Sequence, residues 1–309
     1  MDNADAGSKI CFQWFKGEAV KLVSITVDGQ RRVGILNGDN QCHILCPEVQ
    51  GIPTTLENVI GSDAHQAKLD QLVQAGLEMV ETVALADVTV DAPVRKIEKV
   101  VCIGTNYAGH CREMGGEPPQ IPVVFNVFPS AIIGPGQEIR LPAISQKVDF
   151  EAELVVVIGK SGKNIPIESA MDHVFGYCCG NDVTARDWQK EKPGGQWLLG
   201  KTFDTFAPLG PFIATKDEIP DPHNLTIQLR LNGDVMQDSC TDQLIFPVDF
   251  LISHLSKFVT LSPGDLIFTG TPSGVGAGRK LPVFLKPGDR IEVEIQGLGL
   301  LSNTVVADS

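Results

Sequence analysis

The sequence lacks any hydrophobic run long enough to cross a bilayer as a helix, which needs about 20 consecutive apolar residues. It is also short of positive charge, with 25 lysines and arginines against 38 aspartates and glutamates and a formal net charge of −13. Nucleic acids and anionic lipids attract basic surfaces, so a chain this acidic is poorly suited to bind either. We therefore expect neither a nucleic-acid partner nor a membrane partner.

Targeting signals and cysteine motifs are missing as well. The first residues include Asp2 and Asp5, where a secretory signal or a mitochondrial presequence would carry basic residues. No presequence is therefore visible in this chain, and one removed earlier would leave no trace. The 8 cysteines contain no CxxC pair, so neither a zinc site nor a redox motif is indicated. We expect reduced, structural thiols in a protein of the cytoplasm or the mitochondrial matrix.

The first third of the chain predicts a β-meander followed by helices. Within residues 18–46 the turn-forming pairs Asp28-Gly29 and Asn37-Gly38 separate short apolar runs. Residues 55–80 then carry apolar side chains at the three- and four-residue spacing of amphipathic helices. The segment Asp91-Ala92-Pro93 breaks this pattern, and we place a domain boundary there.

The remainder of the chain predicts mainly strands. Short β-branched runs such as Leu154–Ile158 alternate with Pro-Gly-Asp and Asn-Gly turns, and an amphipathic helix is predicted over Asp249–Val259. The 31 glycines and 20 prolines suit a fold with many tight turns. The predicted fold class is α+β and mostly β, with a small N-terminal α/β domain (1–92) and a larger β-roll or barrel (93–309).

Carboxylates cluster at the start of one predicted strand. Because side chains alternate along a strand, Asp149, Glu151 and Glu153 share one face, and both faces become apolar further along. Carboxylates at the mouth of a buried strand need a partner, and two of them spaced two residues apart can share a hard cation. The alternative is a strand end exposed to solvent.

Two further segments carry charged residues that are candidates for a functional site. Asp182, Arg186 and Gln189 have the spacing of one helical face, although an ordinary surface ion pair would have the same spacing. Lys201 lies between apolar residues. Its ammonium group is either buried with a functional role or reaches water at the end of a side chain that lies along the apolar surface.

A predicted short helix carries His110 and Glu113, and a glycine-rich loop follows a strand at residues 269–276. Three residues apart on a helix, the imidazole and the carboxylate can touch, which would raise the basicity of the histidine as a general base requires. A purely structural pair is the alternative. The loop matches neither a P-loop nor a dinucleotide fingerprint. It offers backbone N–H groups to an anion such as a carboxylate, or it is a plain turn.

Taken together and in this order, these segments resemble the fumarylacetoacetate hydrolase family. The matching motifs are GxNYxxHxxE at 104–113, ExE at 151–153, DVTARDWQ at 182–189, GKTFD at 200–204 and TGTPxGVG at 269–276. The resemblance covers roughly residues 95–306. It implies a mixed β-roll fold, a metal-dependent enzyme and a homodimer.

The resemblance also implies a role for individual residues. It makes Glu151, Glu153 and Asp182 the ligands of Mg²⁺, with Ca²⁺ or Mn²⁺ as alternatives, whereas Asp149 matches no ligand. The implied catalytic residues are His110, Glu113 and Lys201. The implied substrate-binding residues are Asn106, Tyr107, Arg186, Gln189, Gly270 and Thr271.

Substrates of the family share a 2-oxo acid with a second carbonyl group, and the metal stabilises the enolate that forms from it. The resemblance therefore implies acylpyruvase-type hydrolysis of a C–C bond, with tautomerisation or decarboxylation of oxaloacetate as the alternative. Hydrolysis would use His110 as the base, whereas enolisation would use Lys201, if the metal and burial lower its pKa. We expect residues 106–116 to form a mobile lid. A catalytically silent metal- and ligand-binding protein is the alternative outside enzymology.

Overall fold

A computed structural model of the protein describes residues 20–38, 40–78 and 80–308. In this part of the chain the α-helices are α1 (Pro47–Gln50), α2 (Leu56–Ile60), α3 (Asp63–Ala75), α4 (Ala108–Glu113), α5 (Trp197–Lys201) and α6 (Val248–Ser256). The strands are β1 (Lys21–Val27), β2 (Gln30–Asn37), β3 (Gln41–Leu45), β4 (Thr82–Ala84), β5 (Thr89–Asp91), β6 (Val100–Gly104), β7 (Val123–Asn126), β8 (Ile132–Ile133), β9 (Glu138–Leu141), β10 (Val148–Asp149), β11 (Ala152–Ile158), β12 (Val174–Asn181), β13 (Thr184–Ala185), β14 (Ala207–Thr215), β15 (Thr226–Leu231), β16 (Asp234–Cys240), β17 (Leu266–Phe268), β18 (Arg290–Ile295) and β19 (Gly299–Ala307).

The strands form two large sheets and one small one. A 12-stranded sheet runs in the order β4-β3-β2-β1-β14-β12-β11-β17-β6-β7, with β5 paired to β1 and β8 paired to β14. A 5-stranded sheet has the order β16-β15-β18-β19-β9, and β10 pairs with β13. The predicted α+β, mostly-β fold class is confirmed. The larger sheet ends at β4 and β7, so the described strands do not close into a barrel.

The central strand β11 explains how the two layers of the core are built. All of its residues are buried, and it pairs with β12 on one side and β17 on the other. Leu154 and Val156 face the core that includes β15 and β18 of the second sheet, whereas Val155 and Val157 face the core that includes α2. Burial of both faces is the reason for the uninterrupted apolar run in the sequence.

The N-terminal segment forms the predicted meander and helices. β1, β2 and β3 pair in antiparallel order, and α2 and α3 fall within the segment predicted to be helical. β1 also pairs with β14 through Lys21↔Ala214 and Leu22↔Ile213, so the meander extends the large sheet. A domain boundary at residue 92 remains our proposal. None of the helices in the described ranges has the length and hydrophobicity needed to cross a membrane.

The topology brings four strand ends to one edge of the large sheet. The antiparallel pairing Ala152↔Asn181 sets the start of β11 beside the end of β12. The antiparallel pairing of β11 with β17 brings the end of β17 to the same edge, and β6 runs parallel to β17. The residues that follow β6, β12 and β17 therefore meet the residues that begin β11.

Candidate active site

Three carboxylates converge at this edge of the sheet. Oxygen atoms of Glu151, Glu153 and Asp182 all lie within 4.8 Å of one another, and all three residues are buried. Their positions follow from the backbone, because the Asp182 N–H donates a hydrogen bond of 2.9 Å to the Glu151 carbonyl where β11 and β12 meet. Burial rules out the solvent-exposed strand end that the sequence had left open.

Lys201 projects into this cluster from the last turn of α5. Its Nζ donates hydrogen bonds to Glu151 Oε2 at 2.8 Å and to Asp182 Oδ2 at 2.5 Å, and the residue is 1% exposed. The ammonium group is therefore buried and does not extend to water. Glu153 differs from the other two carboxylates: its recorded partner is the backbone N–H of Gly270, at 2.7 Å, and no ion pair reaches it within the described residues.

The three carboxylates have different affinities for protons. Burial raises the pKa of Glu153 well above its usual value, and the nearby carboxylates of Asp182 and Glu151 raise it further. Burial also raises the pKa of Asp182 to about 6, against the opposing effect of Lys201. For Glu151 burial acts in the same direction, but Lys201 and Arg186 outweigh it and lower the pKa to about 2.

The cluster therefore fits a divalent cation. Two of its carboxylates are costly to ionise where they are, and a bound cation would offset that cost. All of the candidate ligand atoms are hard oxygens, which Mg²⁺, Ca²⁺ and Mn²⁺ prefer.

The pKa of Lys201 moves in the opposite direction from the sequence-based expectation. Burial by itself would lower it, but the carboxylates of Asp182 and Glu151 outweigh burial and raise it. Its carboxylate partners therefore hold the side chain as an ammonium ion, and a pKa lowered by a bound metal stays a prediction.

Arg186 forms the second cationic group of the site. Its Nε donates to Asp149 Oδ2 at 2.8 Å and its Nη1 to Gln189 Oε1 at 3.1 Å. Its Nη2 lies 2.7 Å from Glu151 Oε1, but the contact lacks hydrogen-bond geometry, so this buried nitrogen has no hydrogen-bond partner among the described residues. Buried polar atoms are normally satisfied, so an orphaned one is a candidate ligand contact.

The prediction that Asp182, Arg186 and Gln189 share one helical face is wrong. Asp182 directly follows β12, β13 comes next, and a short π-helix begins only at Asp187. Arg186 and Gln189 still meet, because they lie three residues apart at the start of this π-helical turn. Such turns are frequent at functional sites.

His110 and Glu113 lie on α4 and make the predicted contact. His110 Nδ1 is 3.5 Å from Glu113 Oε2, and the carboxylate accepts hydrogen bonds of 2.9 and 3.0 Å from the Gly274 N–H. Nδ1 is buried and has no hydrogen-bond partner in the described part of the chain. The glycine-rich loop thus holds the carboxylate against the imidazole.

These groups surround a small cavity of about 60 Å³. This size suits a small molecule. Its apolar wall includes Ile103, Met114, Phe125 and Trp197. Its polar wall consists of Thr105, His110, Glu151, Glu153, Asp182, Arg186, Gln189, Lys190, Lys201 and Thr271.

Comparison with known proteins fits this geometry. The family model described as fumarylacetoacetate (FAA) hydrolase C-terminal matches residues 99–306. The chain belongs to the fumarylacetoacetate hydrolase family. It is an enzyme of this family.

Relatives of similar length support the same assignment within the fumarylacetoacetate hydrolase family. The protein named oxaloacetate tautomerase FAHD2A, mitochondrial, of Bos taurus is 53% identical over 255 residues, 82% of this chain and 81% of the relative. Its Xenopus laevis counterpart, oxaloacetate tautomerase fahd2, mitochondrial, is 51% identical over 264 residues, 81% of this chain and 83% of the relative. A solved fumarylacetoacetate hydrolase from Exiguobacterium antarcticum superposes with a TM-score of 0.82 at 36% identity, covering 94% of this chain and 100% of that one.

Two residues of the family motif do not reach the cavity. The side-chain amide of Asn106 is fully engaged with backbone groups, donating to the carbonyls of Phe246 and Thr269 and accepting from the Phe246 N–H. Tyr107 is buried outside the cavity wall. Asn106 thus ties the start of α4 to the core, and substrate contact by Asn106 and Tyr107 stays a prediction.

The glycine-rich loop binds carboxylates, but they belong to the protein. Gly270 donates to Glu153, Gly274 donates to Glu113, and Gly276 donates to Asp149. Gly270 has a left-handed φ of 104°, which favours glycine. A Cβ at this position would also lie only 2.7 Å from the Cβ of Asn106, so there is no room for a side chain. Thr271 lines the cavity as predicted, with its hydroxyl donating to the Ala152 carbonyl at 2.8 Å.

The sequence analysis gave Asp149 no role in the site and did not identify Gln237 at all. Asp149 is buried and pairs with Arg186, and its place in the D-x-E-x-E pattern was the available signal. Gln237 accepts from the Ala152 N–H and donates to the Thr271 hydroxyl. It lies on β16 of the second sheet, and no local pattern in the sequence predicts its place in the site.

Proposed function

We propose that this protein is a metal-dependent keto–enol tautomerase of oxaloacetate. The observation that carries the proposal is a small cavity whose wall combines a buried triad of carboxylates with the side chains of Arg186, Lys201 and His110. The names of relatives that are about half identical in sequence support the choice of oxaloacetate.

Glu151, Glu153 and Asp182 would hold the metal, for which we propose Mg²⁺, with Ca²⁺ or Mn²⁺ as alternatives. When bound, a divalent ion supplies charge stabilisation to the oxygen on which the enolate develops. The protein must then bind the substrate carboxylate, move one proton from C3 and deliver one proton to the C2 oxygen.

Arg186 would bind the substrate carboxylate, since it lines the cavity and a guanidinium suits planar carboxylates. Lys201 uses two of its three N–H bonds on Glu151 and Asp182, which leaves one to donate to the substrate oxygen. Trp197 and Phe125 form the apolar wall that limits water in the cavity.

His110 would take the C3 proton. With Nδ1–H directed at Glu113, the tautomer leaves Nε2 as the basic nitrogen. Glu113 orients the ring and stabilises its protonated form. The substrate loses one proton to Nε2 and gains one from Lys201, and the enzyme is restored when the proton on Nε2 leaves to solvent and Lys201 takes one up.

Hydrolysis of an acylpyruvate is the second candidate, and the His110–Glu113 pair favours it. A histidine beside a carboxylate can activate a water as readily as it can accept a carbon-bound proton. The two reactions therefore need the same base. They differ in whether a water molecule attacks the second carbonyl group.

The test follows oxaloacetate by loss of its enol absorbance and acetylpyruvate by release of pyruvate, with Mg²⁺ and with EDTA. We expect interconversion of oxaloacetate above the buffer rate, abolished by EDTA and lowered about 10²–10⁴-fold in His110→Ala. His65→Ala, a histidine on α3 away from the site, is the control. Cleavage of acetylpyruvate without any effect on oxaloacetate would replace the proposal by hydrolysis. Activity on neither substrate, with Mg²⁺ still bound, would identify a silent binding protein.

We further propose a mitochondrial location and a homodimer. The location is supported by the names of the vertebrate relatives, which include the word mitochondrial. The homodimer is supported by the family resemblance alone.

A further inference from the structure

We propose that Asp149 is a positioning residue that fixes the guanidinium of Arg186 in the wall of the cavity. The inference rests on the proposed function only in assigning a carboxylate-bearing ligand to that guanidinium. Asp149 lies two residues before Glu151 but is not one of the three candidate metal ligands. It belongs to the small sheet of β10 and β13.

The carboxylate of Asp149 is completely surrounded by hydrogen-bond donors. Its Oδ1 accepts from the N–H groups of Phe150 at 2.9 Å and Gly276 at 2.7 Å. Its Oδ2 accepts from the Ala277 N–H at 3.0 Å and from Arg186 Nε at 2.8 Å. A carboxylate offers about four acceptor sites, so this one is saturated and cannot rotate.

A rigid carboxylate fixes a planar guanidinium. Asp149 anchors Arg186 at Nε and Gln189 anchors it at Nη1, and two anchored nitrogens of a plane determine the position of the third. The third nitrogen, Nη2, is buried and lacks a hydrogen bond. It is therefore held in place at a cost, which a ligand on the cavity side would offset.

Glu151 is the competing partner for Arg186. Its Oε1 lies 2.7 Å from Nη2, and it also pairs with Lys201 and belongs to the acidic triad. Without Asp149, Glu151 would be the only carboxylate paired with the guanidinium among the described residues, and Arg186 would be drawn towards it. Asp149 and Gln189 thus confine the contact with Glu151 to Nη2 and keep the rest of the guanidinium in place.

The experiment measures oxalate binding by calorimetry at a Mg²⁺ concentration that saturates each variant. Asp149→Asn is nearly isosteric but places an amide where a charged acceptor is needed. We expect it to weaken oxalate binding by at least about tenfold, as does loss of a charge-assisted hydrogen bond. In the Arg186→Gln background the same change should have no further effect, because Asp149 acts through Arg186.

Asp265→Asn is the matched control. Asp265 is also a buried aspartate that accepts backbone hydrogen bonds and pairs with a cation, Lys99, but it lies outside the site. This variant should lower the melting temperature and leave oxalate binding unchanged. A purely structural Asp149 would behave in the same way.

Two results would overturn the inference: wild-type oxalate affinity in folded Asp149→Asn, or an equal loss with and without Arg186. Should Asp149→Asn not fold, Arg186→Lys takes its place, because lysine keeps the charge but has no planar fork for Asp149 to orient. Oxalate affinity retained in Arg186→Lys would show that orientation is unnecessary. Absence of turnover on oxaloacetate would count against the proposed function alone, since oxalate binding requires no turnover.

Discussion

Glu151 and Glu153 lie two residues apart at the start of β11, yet their carboxylates have different surroundings. Glu151 is paired with Lys201 and Arg186, which keep it ionised in spite of its burial. Glu153 has a backbone N–H but no cation within the described ranges, and its pKa is raised well above the usual value, first by burial. Glu151 therefore pairs with both cations of the site, which Asp182 and Asp149 also contact, whereas Glu153 would depend on a metal for its counter-charge.

Substitution by glutamine should separate these two roles. Glu151→Gln leaves Lys201 and Arg186 short of one buried counter-charge, so the free energy of unfolding of the metal-free protein should fall by about 3–5 kcal/mol. Glu153→Gln removes a carboxylate that is costly to ionise and should not lower the metal-free melting temperature. Both variants should lose the thermal stabilisation that Mg²⁺ gives the wild type. Thermal denaturation with and without Mg²⁺ measures all three effects, and equal destabilisation of the two metal-free variants would contradict this assignment.

The loop of residues 269–278 is the element that connects the parts of the site. It contains no charged side chain, yet its backbone N–H groups hold Glu153, Glu113 and Asp149. Glu153 belongs to the metal site, Glu113 contacts His110 and Asp149 contacts Arg186. The loop therefore sets the positions of the metal site, the histidine and the arginine relative to one another. Its glycines permit the close approach of backbone to carboxylate.

Gly278 offers a direct test of this element. A Cβ at this position would lie 2.4 Å from both Cγ and Cδ of Glu113, so Gly278→Ala must displace that side chain. A catalytic group misplaced by about 1 Å can cost about 10²-fold in rate, so kcat should fall by one to two orders of magnitude while Mg²⁺ affinity stays unchanged. Steady-state kinetics and Mg²⁺ titration measure the two quantities. Gly61→Ala, at the end of α2, is the control, and an unchanged kcat in folded Gly278→Ala would refute the role given to Glu113.

At the scale of the whole molecule, the fold determines the protonation chemistry of the metal site. Four strand ends and the loop enclose the carboxylates, and it is this enclosure, rather than any neighbouring residue, that contributes most to the raised pKa values of Glu153 and Asp182. Protons and a metal ion therefore compete for the same buried oxygens.

The competition predicts the pH dependence of metal binding. Asp182 has a pKa raised to about 6, so below that pH it carries a proton that a metal must displace. Apparent Mg²⁺ affinity should therefore rise as the pH increases through about 6, and binding should release protons. Calorimetry at several pH values, in buffers of different ionisation enthalpy, measures both quantities. A constant affinity between pH 5 and pH 8, with no proton release, would show that the carboxylates are ionised before the metal arrives.

The sequence by itself determined the local features of this protein. The turn pairs and alternating apolar residues predicted the meander, α6 was predicted within a few residues of its observed ends, and the spacing of Glu151 and Glu153 predicted a shared cation site. These features follow from the two-residue period of strands and the 3.6-residue period of helices, which act between near neighbours.

Only the tertiary structure decided which distant groups meet. Asp149 finds its donors 127 and 128 residues away in the loop, and Arg186 lies 37 residues from it. The open edge of the large sheet, the inward position of Gln237 and the raised pKa of Lys201 likewise depend on contacts between separate elements. Burial and the approach of charged groups are properties of the packed molecule, and no period within the chain encodes them.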